Sequence, residues 1–200
     1  YANYNKLVES IKSSFDVTAG YDYQYWKSTT PLYSEMNTLG EIQKTSKASD
    51  ERHVLLSYYG RLNYSFNSRY MLTTTVRRDA TSRFAKNVRW GTFPSVALGW
   101  RVTEESFLKD NKVISTLKVR ASYGVTGQQD GIGNYNYLPI YTISQSGAGS
   151  LIGGTPTPTY RPKAYVPNLK WETTTSWNVG FDFGFLKDRI TGSFDYYTRQ

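Results

Sequence analysis

Side chains of two kinds alternate without interruption between Trp171 and Phe185. One set is mostly apolar and consists of Trp171, Thr173, Thr175, Trp177, Val179, Phe181, Phe183 and Phe185. The other set is polar or glycine and consists of Glu172, Thr174, Ser176, Asn178, Gly180, Asp182 and Gly184. Because successive side chains of a strand point to opposite faces, this segment predicts one extended strand with an apolar and a polar face. It is far longer than the about 5–6 residues of an ordinary strand.

The same alternation recurs along the chain and predicts seven strands. They cover residues 14–26, 53–66, 70–79, 93–102, 117–125, 171–185 and 189–199. The chain has no apolar run near the about 18 residues that a membrane helix needs, whereas a tilted membrane β-strand needs only about 9–11. We therefore predict an all-β fold, an antiparallel transmembrane β-barrel segment of about seven long strands with short periplasmic turns and long extracellular loops.

The connections support this arrangement by their unequal lengths. Two are tight hairpin turns, Asn67-Ser68-Arg69 and Leu186-Lys187-Asp188. If these turns share one side of the membrane, the long connections 27–52, 80–92 and 126–170 all fall on the other, extracellular side. The remaining connection, 103–116, is then periplasmic. Its Thr-Glu-Glu-Ser-Phe-Leu-Lys stretch predicts one helical turn opened by Thr103.

The strand faces predict which side chains meet lipid and which meet the lumen. We expect five side chains to face lipid, those of Val179, Phe181, Phe183, Val119 and Leu98. We expect five others to face the lumen, at Asn178, Gly180, Asp182, Arg120 and Ser122. Seven strands are too few for a closed single-chain barrel, which has an even number of about eight or more. We therefore expect unpaired outer edges on the strands 14–26 and 189–199.

Enzyme chemistry is not indicated. The chain has no cysteine and a single histidine, His53, at the start of a predicted strand. Carboxylates that share a face, such as Asp16 and Asp22, are too far apart along a strand to form an acid pair, and the Gly-rich stretch 147–154 lacks the lysine of a phosphate loop. We predict no catalytic, cofactor-binding or metal-binding residues.

Basic residues are densest between Arg77 and Arg89, in a chain whose net charge is +8. This group consists of Arg77, Arg78, Arg83, Lys86 and Arg89. It is compatible with a solvated loop face, or with contacts from Arg83, Lys86 and Arg89 to lipopolysaccharide phosphates or another anion. Nucleic acid is not expected, because contact with lipid already accounts for the aromatic side chains of the sheet.

Aromatic residues in the connections are candidates for contacts with a ligand or with a partner protein. They are Tyr33, Trp90, Tyr135, Tyr137, Tyr141 and Tyr160. Aromatic residues near strand ends ordinarily form the interfacial girdle of a barrel, whereas those far out in loops can stack on a sugar. Both interpretations stay open at this stage.

Several ordered stretches carry a family resemblance over most of residues 54–200. They are Leu72-Thr-Thr-Thr-Val-Arg-Arg-Asp-Ala-Thr-Ser-Arg-Phe, Arg89-Trp-Gly-Thr-Phe-Pro-Ser-Val-Ala-Leu-Gly-Trp-Arg, Leu117-Lys-Val-Arg-Ala-Ser-Tyr-Gly-Val-Thr-Gly-Gln, Gly133-Asn-Tyr, Leu169-Lys-Trp-Glu-Thr-Thr and Asn178-Val-Gly-Phe-Asp-Phe-Gly. Together they resemble the SusC/RagA-like TonB-dependent outer-membrane transporters of Bacteroidota.

The resemblance implies a bacterial outer-membrane location and TonB-dependent uptake of a nutrient such as an oligosaccharide or peptide. It implies a SusD-like surface lipoprotein lid, and contact with TonB through parts of the protein that have no counterpart here. Residues 1–200 are expected to be part of a single barrel domain, with the plug domain and the C-terminal strands absent. No cofactor is implied. The alternative from another class is a soluble β-rich carbohydrate-binding module, in which two sheets would bury their apolar faces against each other.

Overall fold

The computed structural model describes residues 1–109, 111–143 and 149–200, which are mostly antiparallel strand. The strands are β1 (Ala2–Val8), β2 (Ser13–Thr30), β3 (Tyr33–Met36), β4 (Ile42–Ser46), β5 (Ser49–Phe66), β6 (Tyr70–Thr81), β7 (Trp90–Arg101), β8 (Ile114–Gln128), β9 (Tyr141–Ile143), β10 (Gly149–Ile152), β11 (Thr155–Pro158), β12 (Tyr160–Pro162), β13 (Glu172–Phe185) and β14 (Ile190–Arg199). Helical structure in these residues is confined to two 3₁₀ turns, Glu9–Ile11 and Val102–Glu104. Neither turn has the length that a membrane-crossing helix requires.

Eight strands form one continuous antiparallel sheet in the order β1-β2-β5-β6-β7-β8-β13-β14. The predicted fold class is confirmed, and the strands are long, with 18 residues each in β2 and β5. The sheet has one strand more than the sequence predicts. β1 was missed because Lys6 shares a face with Tyr4 while Leu7 lies on the polar face, so the alternation is broken there.

The additional strand corrects one of the two predicted edges. β1 pairs with β2 from Ala2 opposite Ala19 to Val8 opposite Ser13, so the strand predicted over 14–26 is paired on both sides. β14 is the last strand in the sheet order. Among the described residues β1 and β14 lie at opposite edges and are not paired with each other, so the sheet is open, as expected.

The sheet has the two chemically different faces that the alternation predicts. The register aligns Val179 of β13 with Ala121 and Tyr196 on one face, and aligns Asn178 with Ser122 on the other. The apolar side chains remain exposed, with 55% of Val179 and 56% of Leu98 accessible. We call the first face the apolar face and the second the polar face. The predicted segregation of side chains is confirmed.

The connections 9–12, 67–69, 102–113 and 186–189 lie along one edge of the sheet, here called the short rim, and three of the four have at most four residues. Backbone hydrogen bonds join them in sequence order. They are Asn67 N to Lys12 O at 2.7 Å, Arg101 N to Arg69 O at 2.8 Å, and Leu186 N to Val113 O at 2.8 Å. The helical turn predicted there is a 3₁₀ turn with Arg101 at its N-cap. Thr103 therefore lies inside the turn and does not open it, which corrects that detail.

The connections between β2 and β5, β6 and β7, and β8 and β13 all lie at the opposite edge, here called the long rim. The first is shorter than predicted, because β2 and β5 stay paired as far as Thr30 opposite Ser49 and β3 and β4 add a hairpin. These extensions carry polar side chains such as Lys27 and Ser28, so alternation did not reveal them. The backbone ladder continues there without an apolar face.

The turn between β5 and β6 offers a test of the hairpin geometry. Asn67 and Ser68 have φ of 50° and 53°, and Arg69 N donates to Phe66 O at 3.0 Å, as in the two-residue turns that match strand twist. A side chain in this conformation costs about 1–2 kcal/mol, which glycine avoids. We expect Ser68→Gly to raise the free energy of unfolding of the complete receptor by about 1 kcal/mol, measured by urea titration in phospholipid vesicles.

Ser65→Gly is the matched control for this turn variant. Ser65 lies inside β5, where glycine costs about 0.5–1 kcal/mol. The two glycine variants should therefore shift the urea midpoint in opposite directions. A shift of the same sign in both would contradict the turn geometry.

Candidate functional site

Aromatic side chains lie at both ends of the apolar face. Toward the long rim, Trp90 stacks with Tyr58 at 6.2 Å between ring centroids, and the Arg78 guanidinium lies 5.1 Å from the Trp90 ring. Toward the short rim, Trp100 lies on the same strand as Trp90. At about 3.3 Å per residue the two tryptophans are about 33 Å apart along β7, which a strand tilt of about 40° reduces to about 25 Å. That is the height of the apolar band in membrane barrels.

A carboxylate holds the aromatic residues at the short rim. Glu105 accepts hydrogen bonds from Tyr70 Oη, from Trp100 Nε1 at 3.1 Å and from Arg69 Nη1 at 3.2 Å. The Tyr70 hydrogen bond, followed by that of Trp100, lowers the pKa of Glu105 below its ordinary value. The carboxylate therefore stabilises this end of the apolar band in its ionised form.

This pKa direction predicts a pH dependence. Since the folded-state pKa is depressed, the contribution of Glu105 to folding stability is present above its unfolded-state pKa. This contribution is lost as pH falls through the lower folded-state pKa. In the complete receptor, acidification through that range should change the fluorescence of Trp100, and Glu105→Gln should remove the transition. Exposed Glu104→Gln is the control and should keep it. An unchanged transition in Glu105→Gln would exclude this carboxylate as its source.

On the polar face an ion-pair network joins three strands. Arg120 of β8 donates from Nη2 to Asp182 of β13 at 2.8 Å and to Asp195 of β14 at 3.1 Å. Gly180 of β13 is aligned with Arg120 on one side and with Asp195 on the other, and a Cβ at this position would come within 2.3 Å of Asp195 Oδ1. Glycine at this position therefore allows the approach. The network fixes neighbouring strands while it keeps the predicted lumen face charged.

The long rim contains the main buried apolar cluster among the described residues. Phe84 is fully buried and Phe93 and Trp171 nearly so, with Phe84 and Phe93 packed edge-on against Trp171 at 5.5 and 5.3 Å. Trp171 Nε1 donates to Arg89 O at 3.0 Å. The sequence analysis placed Trp171 on the apolar face of its strand, which is wrong. β13 begins at Glu172, and Trp171 turns inward to the polar side.

The basic group predicted between 77 and 89 is divided by the fold. Arg77 lies on the polar face and pairs with Asp79 at 2.9 Å, whereas Arg78 lies on the apolar face over Trp90. Arg83 donates to Asn134 Oδ1 and Gln129 O, both at 3.2 Å, and so holds two long-rim connections together. The five basic side chains therefore do not form one patch.

Two of the three residues predicted to contact anions have partners within the chain. Besides Arg83, Arg89 donates from Nε to Phe84 O at 3.4 Å. Lys86 is exposed, and the described residues offer it no ion-pair partner. Contact with lipopolysaccharide or another anion stays a prediction, and Lys86 is the most accessible of the three.

The aromatic residues predicted as ligand or lid contacts lie in five places. Trp90 belongs to the band at the end of the apolar face, and Tyr33 is exposed on the β3–β4 hairpin. Tyr135 is anchored, because its hydroxyl accepts from Arg52 N at 3.1 Å. The ribbon of β9 and β12 holds Tyr141 and Tyr160 on one face, both 65% exposed. Half-buried Tyr137 precedes this ribbon on the same connection.

A cavity of about 590 Å³ opens on the polar face at the long rim. Its lining comes from β2, β5 and two connections and consists of Gln24, Trp26, Lys27, Ser28, Glu51, His53, Leu55, Arg83, Gln129, Asp130 and Asn134. Most of these residues were not candidates in the sequence analysis. The sequence contained one indication of this cavity, because Trp26 is an aromatic residue on the polar face of its strand. The others come from distant segments.

His53 and Trp26 form the base of this cavity. Their rings stack at 4.1 Å with an angle of 3° between planes, and 91% of His53 is buried, since its exposed fraction is 9%. His53 lies beyond Tyr58 toward the long rim, outside the apolar band. Burial, followed by the nearby charge of Arg83, lowers the pKa of His53, so the imidazole is neutral at neutral pH. In the part of the chain that the structure describes, no acidic or histidine cluster could hold a metal ion.

Long two-faced strands, aromatic residues at both ends of an apolar band and large connections on one rim together define a membrane β-barrel protein. Residues 1–200 match the family described as TonB dependent receptor-like, beta-barrel. The chain belongs to this family of TonB-dependent receptors and is of the SusC/RagA-like kind.

Two curated relatives show how far the similarity extends. The TonB-dependent receptor SusC of Bacteroides thetaiotaomicron is 46% identical over 99% of this chain and 21% of its own length. The TonB-dependent receptor P39 of Formosa agariphila is 32% identical over 100% of this chain and 20% of its own length. The chain thus spans about a fifth of each of these relatives.

A solved structure has the same fold. The RagAB peptide transporter superposes with a TM-score of 0.79 over 98% of this chain and 22% of the matched chain. At 22% sequence identity this likeness concerns the fold alone.

Proposed function

We propose that this chain forms part of the wall and outer loops of a bacterial outer-membrane receptor that imports a nutrient, such as an oligosaccharide or peptide, with energy from TonB. The observation that carries the proposal is the placement of the two longest connections, between β2 and β5 and between β8 and β13, at one rim of a two-faced sheet. Such a wall separates lipid from an aqueous lumen, and loops on a rigid scaffold are where binding groups ordinarily lie. The work of this segment is recognition and passage, without catalysis.

The partners in this proposal are a SusD-like surface lipoprotein over the long rim and TonB. TonB would be reached through other parts of a larger receptor. In that receptor these 200 residues form one part of a single barrel domain. The curated relative SusC supports membership in the same receptor class, and the structure that shares the fold is described as a peptide transporter. The exposed ribbon of β9 and β12 offers flat aromatic contacts for a partner or cargo.

The alternative, a soluble carbohydrate-binding module, requires a second sheet against the apolar face. Among the described residues no second sheet covers that face, and side chains such as Val179, Leu98 and Phe181 remain more than one-third exposed. A continuous exposed apolar surface of this extent favours contact with lipid. The geometry therefore supports the membrane receptor.

The proposal predicts that the aromatic face of the ribbon contributes to uptake. Tyr141→Ala combined with Tyr160→Ala in the complete receptor should lower TonB-dependent accumulation of labelled cargo by about tenfold, if each ring supplies the about 0.5–1 kcal/mol of a modest contact. Thr142→Ala is the matched control, since Thr142 lies on the other face of the same ribbon. Heat-dependent gel migration would verify barrel assembly in both. Equal uptake by all three proteins would contradict a role for this face.

A further inference from the structure

Arg78 of β6 is a charged side chain on the apolar face, near the long-rim end of its strand. It is exposed, and its guanidinium lies 5.1 Å from the centroid of the Trp90 ring. In the part of the chain that the structure describes, no carboxylate lies within ion-pair distance of Arg78. A guanidinium stays charged and presents five N–H donors, which hydrocarbon cannot satisfy. This side chain therefore requires an acceptor that another molecule supplies.

The strand register places two hydroxyl groups beside Arg78. Tyr58 of β5 lies opposite Arg78 on one side and Thr92 of β7 lies opposite it on the other, so all three residues share the apolar face. Both neighbours are exposed, and neither hydroxyl takes part in a hydrogen bond within the described structure. The stacking of Tyr58 on Trp90 holds the tyrosine ring in this row. A guanidinium flanked by hydroxyl groups is a donor set that suits the oxygens of a phosphate.

The two aromatic ends of the apolar face differ in their charge balance. At the short rim, Arg69 pairs with Glu105 at 3.2 Å, and Trp100 donates to the same carboxylate. At the long rim, Arg78 lies beside Trp90 without such a carboxylate. An interfacial aromatic girdle by itself needs no unbalanced charge at one end. The excess positive charge therefore favours anionic headgroups at the long rim.

Positive charge continues on the same side of the sheet beyond the aromatic residues. Lys27 lies opposite Arg52, next after Tyr25 on the apolar side of β2. Both cations pair with Asp50, at 3.4 and 2.9 Å, so they share one carboxylate. At about 3.3 Å per residue, Arg52 is about 20 Å beyond Tyr58 along β5. A lipid whose anionic groups extend outward from the membrane boundary matches this distribution, whereas the phosphate of an ordinary phospholipid lies only at the boundary.

We infer that Arg78, Tyr58 and Thr92 form a binding site for a phosphate of an outer-leaflet glycolipid, the lipid A of lipopolysaccharide, with Trp90 as the surface that holds the guanidinium. Lipopolysaccharide carries phosphate on lipid A and further anionic groups on the sugars attached to it. The site lies on the lipid side of the wall and is separate from the path of any cargo. The inference rests on the proposed function for one feature, the orientation of the long rim toward the outside.

The test is photo-crosslinking of phosphorylated lipid A to the complete receptor purified in detergent. Mass spectrometry would quantify the cross-linked peptides of β6 and β7, and a titration would give the half-saturating concentration at this site. We expect Arg78→Gln to raise that concentration about tenfold, equivalent to about 1.4 kcal/mol for the lost charge-assisted contact. Arg61→Gln is the matched control and should leave it unchanged, since Arg61 lies on the polar face of β5.

Three competitors distinguish the source of the phosphate. They are lipid A with its phosphates removed, phosphatidylglycerol and inorganic phosphate, and each should displace the probe at least about tenfold less well than phosphorylated lipid A. Equal competition by dephosphorylated lipid A would overturn the phosphate site. Equal competition by phosphatidylglycerol or by inorganic phosphate would overturn its assignment to a glycolipid. An unchanged titration in Arg78→Gln would overturn the role of the guanidinium.

A second variant covers the case in which Arg78→Gln does not assemble. Thr92→Val keeps the charge and the shape of the side chain, and loss of its hydroxyl should raise the half-saturating concentration about threefold. No change in this variant would then overturn the site. Uptake of labelled cargo by the unmodified receptor is measured in parallel. Failure of that uptake would count against the proposed function, whereas the lipid site is judged by cross-linking alone.

Discussion

Phe84→Ala should destabilise the complete receptor by about 3–5 kcal/mol, the largest effect expected from a single change in this chain. Phe84 is fully buried and packs on Trp171 and Phe93. Truncation removes a large apolar contact and leaves a cavity that the surrounding strands cannot fill. The connection between β6 and β7 is held by this side chain, since the cluster also joins the start of β13. A urea titration of the receptor in phospholipid vesicles would measure the change.

Phe107→Ala is the matched control for the buried phenylalanine. Phe107 lies on the short rim and is 69% exposed, so its truncation should change the free energy of unfolding by no more than about 0.5 kcal/mol. Similar destabilisation by the two variants would mean that the cluster at the long rim contributes no special stability.

Val179→Arg should destabilise the barrel by about 2–4 kcal/mol, because a charged side chain would then lie on the lipid-facing side near the middle of the membrane. Val179 is midway along β13 and 55% exposed, with Ala121 and Tyr196 beside it on the apolar face. Urea titration in vesicles is the measurement, with surface protease protection as a check on insertion.

Asn178→Arg tests the same strand on its other face. Asn178 aligns with Ser122 on the polar face, where an added guanidinium stays in the aqueous lumen. Its effect should therefore be far milder than that of Val179→Arg. Equal effects at these adjacent positions would remove the assignment of the two faces.

The candidate site shows where prediction from sequence reached its limit. Trp26 lies on the polar face of its strand, but the sequence analysis gave it no role, and it treated His53 only as a single histidine. Neither position says anything about the cavity until Arg83 and Gln129 are folded onto it from distant connections. The β1 strand was also missed, since Lys6 and Leu7 interrupt the pattern while the backbone ladder with β2 does not depend on side chains.

The sequence by itself determined the wall: its strand class, its two faces, the tight turns at one rim and the long connections at the other. It could do so because side-chain direction in a strand repeats every two residues, which is a local property of the backbone. Only the tertiary structure decided that Trp171 turns inward, that Arg77 and Arg78 lie on opposite faces, and that His53 and Gln129 share a cavity. Those contacts join residues far apart in the chain, and they form when connections pack against one another, which no local period encodes.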